Sequence, residues 1–256
     1  MRQLIAFTKK EFIESWRTSR FMILIIVFGL FGIMNPAIAK ITPWIMEQYA
    51  DTLKESGLMI QDVTVDAMSS WTQFYKNVPL GLIVFALLFS GIMANEYQKG
   101  TLVNMVTKGL SRKYILLAKT FVMLVLWTIS YWMCYLITYV YNEYFWDNSV
   151  AKHIFFGALC IYLLGIWIIA ALIFMSAIFR NVSGVCVGTG GVFFVSYMLS
   201  IIPDAAKYLP TKLLESGNIL MGKGTPSDYK IAIAVAMVMA AGFVVSGIVI
   251  FNKKEI

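Results

Sequence analysis

Six apolar runs, at residues 21–39, 78–94, 120–141, 154–179, 182–202 and 231–251, divide the chain, and none contains Asp, Glu, Lys, Arg or His. Each approaches the ~20 residues a helix needs to cross the hydrocarbon core of a bilayer. The stretches between them read differently. In residues 1–20, Leu4, Ile5, Phe12 and Trp16 share a helical face with Thr8 and Ser15, while Lys9, Lys10, Glu14, Arg17 and Arg20 take the other; Phe7 and Ile13 break the stripe. This spacing predicts an amphipathic helix in the headgroup region, its bases near anionic lipid. Residues 41–77 carry Trp44, Tyr49, Trp71, Phe74 and Tyr75, which suit a membrane interface, and are expected to form short helices on the outer leaflet. Residues 203–230 form a second outer segment.

Between the second and third runs the chain reads NEYQKGTLVNMVTKGLSRKYILLAK, residues 95–119. Gly100 permits a break and Thr101 can cap a new helix, in which Leu102, Val103 and Val106 make an apolar face opposite Asn104 and Lys108. Gly109 suits the left-handed position that ends such a helix, and Ser111 can cap the long helix starting at Arg112. The expected product is a short amphipathic helix across the ends of two spans.

Composition supports a single all-α membrane domain over 1–256, with six transmembrane helices. Hydrophobic residues make up 59% of the chain and charged ones 14%, whereas soluble domains are about half apolar and a quarter charged. Net charge is +7, and with six spans the two termini share a side. That side collects all five arginines (Arg2, Arg17, Arg20, Arg112 and Arg180) and eight lysines (Lys9, Lys10, Lys99, Lys108, Lys113, Lys119, Lys253 and Lys254), against Glu11, Glu14, Glu96 and Glu255. The positive-inside rule therefore places both termini in the cytoplasm. Ala37-Ile38-Ala39 imitates a signal-peptide cleavage site, but the run is span length and holds Asn35-Pro36, so it is read as retained.

Catalytic chemistry finds few parts. His153 is the one histidine and sits at the edge of a run; no HExxH occurs, and no carboxylate pair lies in a span. Cys134, Cys160 and Cys186 fall within runs and read as packing residues. GNILMGKGT, residues 217–225, is one register from a phosphate-binding loop, yet Thr225 comes one residue late, Pro226 follows and no strand precedes. Gly217, Gly222 and Gly224 are instead expected to end a short outer helix starting near Pro210. Gly184, Gly188 and Gly191 share one face of the fifth run, and Ala232, Ala236 and Ala240 one face of the sixth; such faces serve helix packing within a chain or between copies.

The loop's spelling resembles ABC-2 type transporter permeases, in which Glu-x-x-x-Gly-Thr-Leu precedes a short coupling helix and Ser-Arg plus a later Lys begin the next span. The matching positions are Glu96, Gly100, Thr101, Leu102, Ser111, Arg112 and Lys119, although Gly109-Leu110 stands where family members often carry a proline. The resemblance implies an N-terminal elbow helix and a coupling helix at 100–108. It also implies a permease dimer in a bacterial cell membrane, docking a separate cytoplasmic ATPase that binds ATP and Mg, with no cofactor, metal or nucleic acid held by this chain. Glu96, Gly100, Thr101, Leu102, Val103, Val106, Ser111 and Arg112 are the expected ATPase-coupling residues, with Glu96 and Arg112 as polar contacts beside the apolar face. Cargo is expected to be amphipathic or hydrophobic, a peptide first, then drugs or cations. Tyr131, Trp132, Met133 and Tyr135 are read as core or lipid-facing, and the substrate path stays open. A non-transporting immunity or scaffold protein is the rival from another class.

Overall fold

The computed structural model describes residues 2–48, 65–107 and 109–254. Among these described residues six helices are long and apolar enough to cross a membrane: span 1, Arg20–Gln48; span 2, Ala67–Gln98; span 3, Arg112–Phe145; span 4, Ile154–Ile178; span 5, Val182–Leu199; and span 6, Pro226–Lys253. Among the described residues there is no strand. An additional helix, Arg2–Arg17, lies mainly against span 3, and a short one, Thr101–Thr107, joins spans 2 and 3.

Several spans outrun their apolar runs. Residues 41–48 continue span 1 and residues 67–77 open span 2, so the expected separate helices there do not form; residues 49–64 lie outside the described residues. A helix satisfies its own backbone, so it extends through polar interfacial residues until something stops it. Trp71 and Phe74 are accordingly core residues, fully buried, with Trp71 Nε1 donating to Asn148 Oδ1 at 3.0 Å.

Pro36 interrupts the ladder of span 1 without breaking it. A proline has no N–H for the carbonyl four residues back, here Gly32, and the Thr138 hydroxyl of span 3 lies 3.2 Å from that oxygen. Asn35 Nδ2 donates to Thr138 Oγ1 at 2.9 Å, and Asn77 Nδ2 to Asn35 Oδ1 at 2.8 Å. Three spans are thereby joined by uncharged hydrogen bonds beside the proline.

Span 4 is the centre of the bundle and packs most extensively on span 6. Gly165 makes room for the Trp127 ring, which a Cβ there would overlap. Gly184 and Gly188 likewise accommodate Phe179 and Met175 of the same chain, whereas Gly191 faces open space. The three glycines therefore divide between internal packing and an unpartnered face. Tyr131 is buried and donates its hydroxyl to Ala158 O at 2.5 Å.

The GNILMGKGT stretch forms a short helix anchored by buried Ile219 and Leu220, followed by an exposed turn. A 3-10 helix, Pro210–Ser216, leads into a short helix, Gly217–Leu220, so Gly217 starts that helix where it was expected to end one. Gly222, at φ +71°, supplies the reversal. Thr225 N–H donates to Asp228 at 2.9 Å, and the Thr225 hydroxyl pairs with Ser227, so both groups serve a helix cap.

Candidate functional site

The N-terminal helix, the loop between spans 2 and 3, and the chain after span 6 converge at one end of the bundle. The helix Gly91–Gln98 stops because Gly100 adopts φ +64° and returns its N–H to Tyr97 O at 3.1 Å. Thr101 was expected to cap the next helix. It is that helix's first residue instead, and its hydroxyl turns back to Glu96 O at 3.3 Å, closing the helix before it.

Helix Thr101–Thr107 ends as the glycine at 109 suggested. Gly109 has φ +84°, its N–H reaches Val106 O at 2.9 Å, and Leu110 N–H reaches Met105 O at 3.2 Å, the paired bonds of a Schellman motif. Leu102 is fully buried and Met105 and Val106 half-buried, while Val103, Asn104 and Thr107 point outward. The expected common face of Leu102, Val103 and Val106 is thus divided, because Leu102 anchors the helix to the bundle. Lys108 lies outside the described residues. Ser111 precedes span 3 in extended conformation but makes no side-chain cap bond. Arg112 Nη1 donates to the carbonyls of Phe251 and Asn252, both at 3.1 Å, and to that of Lys254, covering the C-terminal end of span 6.

Glu96 turns inward. It pairs with Lys119 at 3.0 Å and Lys10 at 2.9 Å; Lys119 also meets Glu11 at 2.9 Å, and Lys10 meets Glu11 at 2.9 Å and Glu14 at 2.6 Å. Lys119, Glu11 and Glu96 are buried, so the expected exposed contact at Glu96 is an internal tie between the N-terminal helix and spans 2 and 3. Burial works against a charged Lys10, but the hydrogen bonds it donates to Glu14, Glu96 and Glu11 outweigh it and lift Lys10 above its ordinary value. Burial also opposes ionised Glu14, and the Lys10 hydrogen bond outweighs it, lowering Glu14. The Glu11, Glu14 and Glu96 oxygens converge within 4.8 Å, close enough for a metal ion, and the Lys10 ammonium already contacts all three.

The inward face of the N-terminal helix is Phe7, Glu11 and Ser15, while Ile5, Ile13 and Trp16 are exposed. Of the expected apolar stripe, Ile5 and Trp16 are exposed while Leu4 and Phe12 are half-buried against the core, so the stripe is divided between the outside and the bundle. The available clue was Glu11, four residues from both Phe7 and Ser15, on the face where an isolated acid needs a partner.

Residues 5–256 match the family model for ABC-2 family transporter protein. This chain belongs to that family. A relative is the "Uncharacterized transmembrane protein YxlG" of Bacillus subtilis (strain 168), 25% identical over 234 residues, which cover 90% of this chain and 89% of the relative. No solved structure matches. The ABC-2 chain is thus a multi-pass membrane protein and a transporter component, in a family that generally works with an ATPase subunit.

Proposed function

We propose that this chain is the permease subunit of an ATP-driven exporter, with both termini in the cytoplasm and the helix Thr101–Thr107 as its coupling helix. The observation that carries the reading is the build of that helix. Two left-handed glycines bracket it, Leu102 ties it to the bundle, and Val103, Asn104 and Thr107 remain outward to meet a separate ATPase that binds ATP and Mg. Glu96, immediately before it, is locked through Lys10, Glu11 and Lys119 to the N-terminal helix, so a push on the short helix is delivered to three elements together.

Cargo is hydrophobic or amphipathic, with a peptide ranked first and drugs or cations after it. Support comes from an apolar groove of about 430 Å³ between spans 2, 4 and 5, lined by Ile83, Leu164, Ile168 and Phe193 beside the hydroxyl of Thr189. Span 5 leaves Gly190 and Gly191 open beside exposed Val187, Phe194 and Val195, a face that suits a second copy.

The test is purification together with the native neighbouring gene products, followed by an ATPase assay. Val103→Asp combined with Asn104→Lys should abolish co-purification and cargo-stimulated ATP hydrolysis while leaving the melting temperature within about 2 °C, as for an exposed site. A variant complex that assembles and turns over normally would exclude this helix as the coupling element.

A further inference from the structure

At its entry, the short helix Thr101–Thr107 is tied through Glu96 to Lys10 of the N-terminal helix and Lys119 of span 3. Its exit is tied elsewhere. Leu110 and Ser111 lead directly into Arg112, the first residue of span 3, and the half-buried Arg112 side chain leaves its own helix for the end of span 6. Arg112 Nη1 donates to the carbonyls of Phe251 and Asn252, both at 3.1 Å, and to that of Lys254. Lys254 repeats the arrangement one helix further on. Its Nζ donates to Ala177 O and Ile178 O, both at 2.8 Å, at the end of span 4.

The last carbonyls of a helix have no donor within it and carry the negative end of its dipole, so a cation from another element satisfies both demands and joins the two elements at that point. The contact expected between Arg112 and an ATPase therefore points inward. Packing reinforces the joint. Phe251 is fully buried, with its ring edge-on to Tyr97 of span 2 at 6.4 Å, and Lys254 lies 4.7 Å from the Tyr97 ring centroid. About one turn earlier, a Cβ at Gly247 would lie 3.6 Å from the Phe174 backbone of span 4 and 3.7 Å from Leu116 of span 3. Span 6 thus touches both neighbours at the level where the two cations hold them.

We propose that Arg112 and Lys254 are positioning residues acting in series, a relay that carries displacement of the short helix's exit through the end of span 6 to the end of span 4. The order follows from which atoms are used. Arg112 holds the backbone around Lys254 and so places its side chain, whereas Arg112 needs the Lys254 carbonyl and not its ammonium. Motion entering at Glu96 reaches the N-terminal helix and spans 2 and 3; motion leaving at Arg112 reaches spans 6 and 4, so the two ends of one short helix move opposite sides of the bundle together. The part this plays in transport rests on the reading of Thr101–Thr107 as the coupling helix. The linkage itself does not.

Hydrogen–deuterium exchange of the full chain in nanodiscs reads the linkage with no ATPase present. Arg112→Gln should speed exchange about tenfold in the last turns of both helices, residues 249–253 and 174–178, as charge-assisted bonds to their carbonyls are lost. Lys254→Met should do so at 174–178 alone, and Lys254→Arg should restore protection there. Lys253→Met, at the exposed neighbour carrying the same charge, should change neither end. Unchanged slow exchange at 160–170, in the middle of span 4, identifies the variants that have folded. The relay is overturned if the Arg112→Gln effect stops at span 6, if Lys254→Met loosens both ends equally, or if Lys253→Met acts as Lys254→Met does. In the complex purified with the native neighbouring gene products and trapped with Mg-ATP and vanadate, the wild-type chain should change its exchange at both ends and Lys254→Met at 249–253 alone. A full response of span 4 in the trapped Lys254→Met complex overturns the relay while leaving the coupling helix in place. If no ATPase co-purifies, the exporter reading fails, and exchange in the lone chain still decides the relay.

Discussion

At the seam between spans 4 and 6, Ala232, Ala236 and Ala240 lie dry against span 4, with no side-chain polar group to satisfy. At the end of the bundle, Glu11, Glu96 and Lys119 are nearly as dry but meet as ion pairs. The seam is held by fit, and each small residue contributes a little. The ion cluster is held by completeness, because a charge stripped of water is tolerable only while its partners are present. The first kind of interior should fail gradually under substitution, the second abruptly.

Spans 4 and 6 sharpen the point about fit. They have the same mean hydropathy, yet 61% of the positions in the span 4 window are buried against 17% in that of span 6. Lipid is as apolar as leucine, so hydrophobicity does not choose a face and side-chain size does. Span 6 turns Ala232, Ala236 and Ala240 inward and leaves Val238 and Val245 exposed, along with Ala234 and Ala241.

Lys119→Gln is the severest way to break the comparison. It leaves Glu11 and Glu96 buried with only the half-exposed Lys10 between them, and is expected to cost about 3–5 kcal/mol. Thermal unfolding in detergent should show a large fall in melting temperature. The double substitution Glu11→Gln, Lys119→Met should recover much of the loss, since it removes an opposed pair together. Additive losses in that cycle would mean the cluster is not a unit.

Gly165→Val and Ala236→Leu come next, at about 1–3 kcal/mol each from overpacking. At Gly165 the added carbons meet the Trp127 ring, which is itself fully buried and has nowhere to move. Val238→Leu, on the outer face of the same span as Ala236, should stay within about 0.5 kcal/mol. Equal effects at positions 236 and 238 would remove the size argument.

How much of this the sequence disclosed follows from the same physics. Six uncharged runs specify six spans because charge at membrane depth is expensive, and Gly109 specifies the end of the short helix because few other residues adopt its φ. The buried faces were not legible, since an apolar helix in lipid carries no amphipathic mark; hence Trp71 and Phe74 were read as interfacial. The Lys119–Glu11 contact joins residues 108 apart, and no local pattern announces it. Thr101 shows a finer limit: a hydroxyl beside a helix break can serve the helix on either side, and here it closes the earlier one.

The smallest expected effect separates the two lysines of one cluster. Lys10 contacts three glutamates but its side chain is 39% exposed, so water replaces much of what Lys10→Gln removes, and the cost should be about 1 kcal/mol or less. The pH profile gives the sign independently. Glu14 is lowered from its ordinary 4.5, so its contribution is complete above that value and is lost as acid titrates the folded protein. Lys10 is raised from 10.5, so its contribution is complete below that pH and lost only in stronger base. The melting temperature should therefore be insensitive to this pair between those limits and fall below pH 4.5, and Lys10→Gln should flatten the acid fall while Lys119→Gln lowers the whole curve. If Lys10→Gln costs as much as Lys119→Gln, exposure does not grade the cluster, and the contrast between its dry and wet sides is lost.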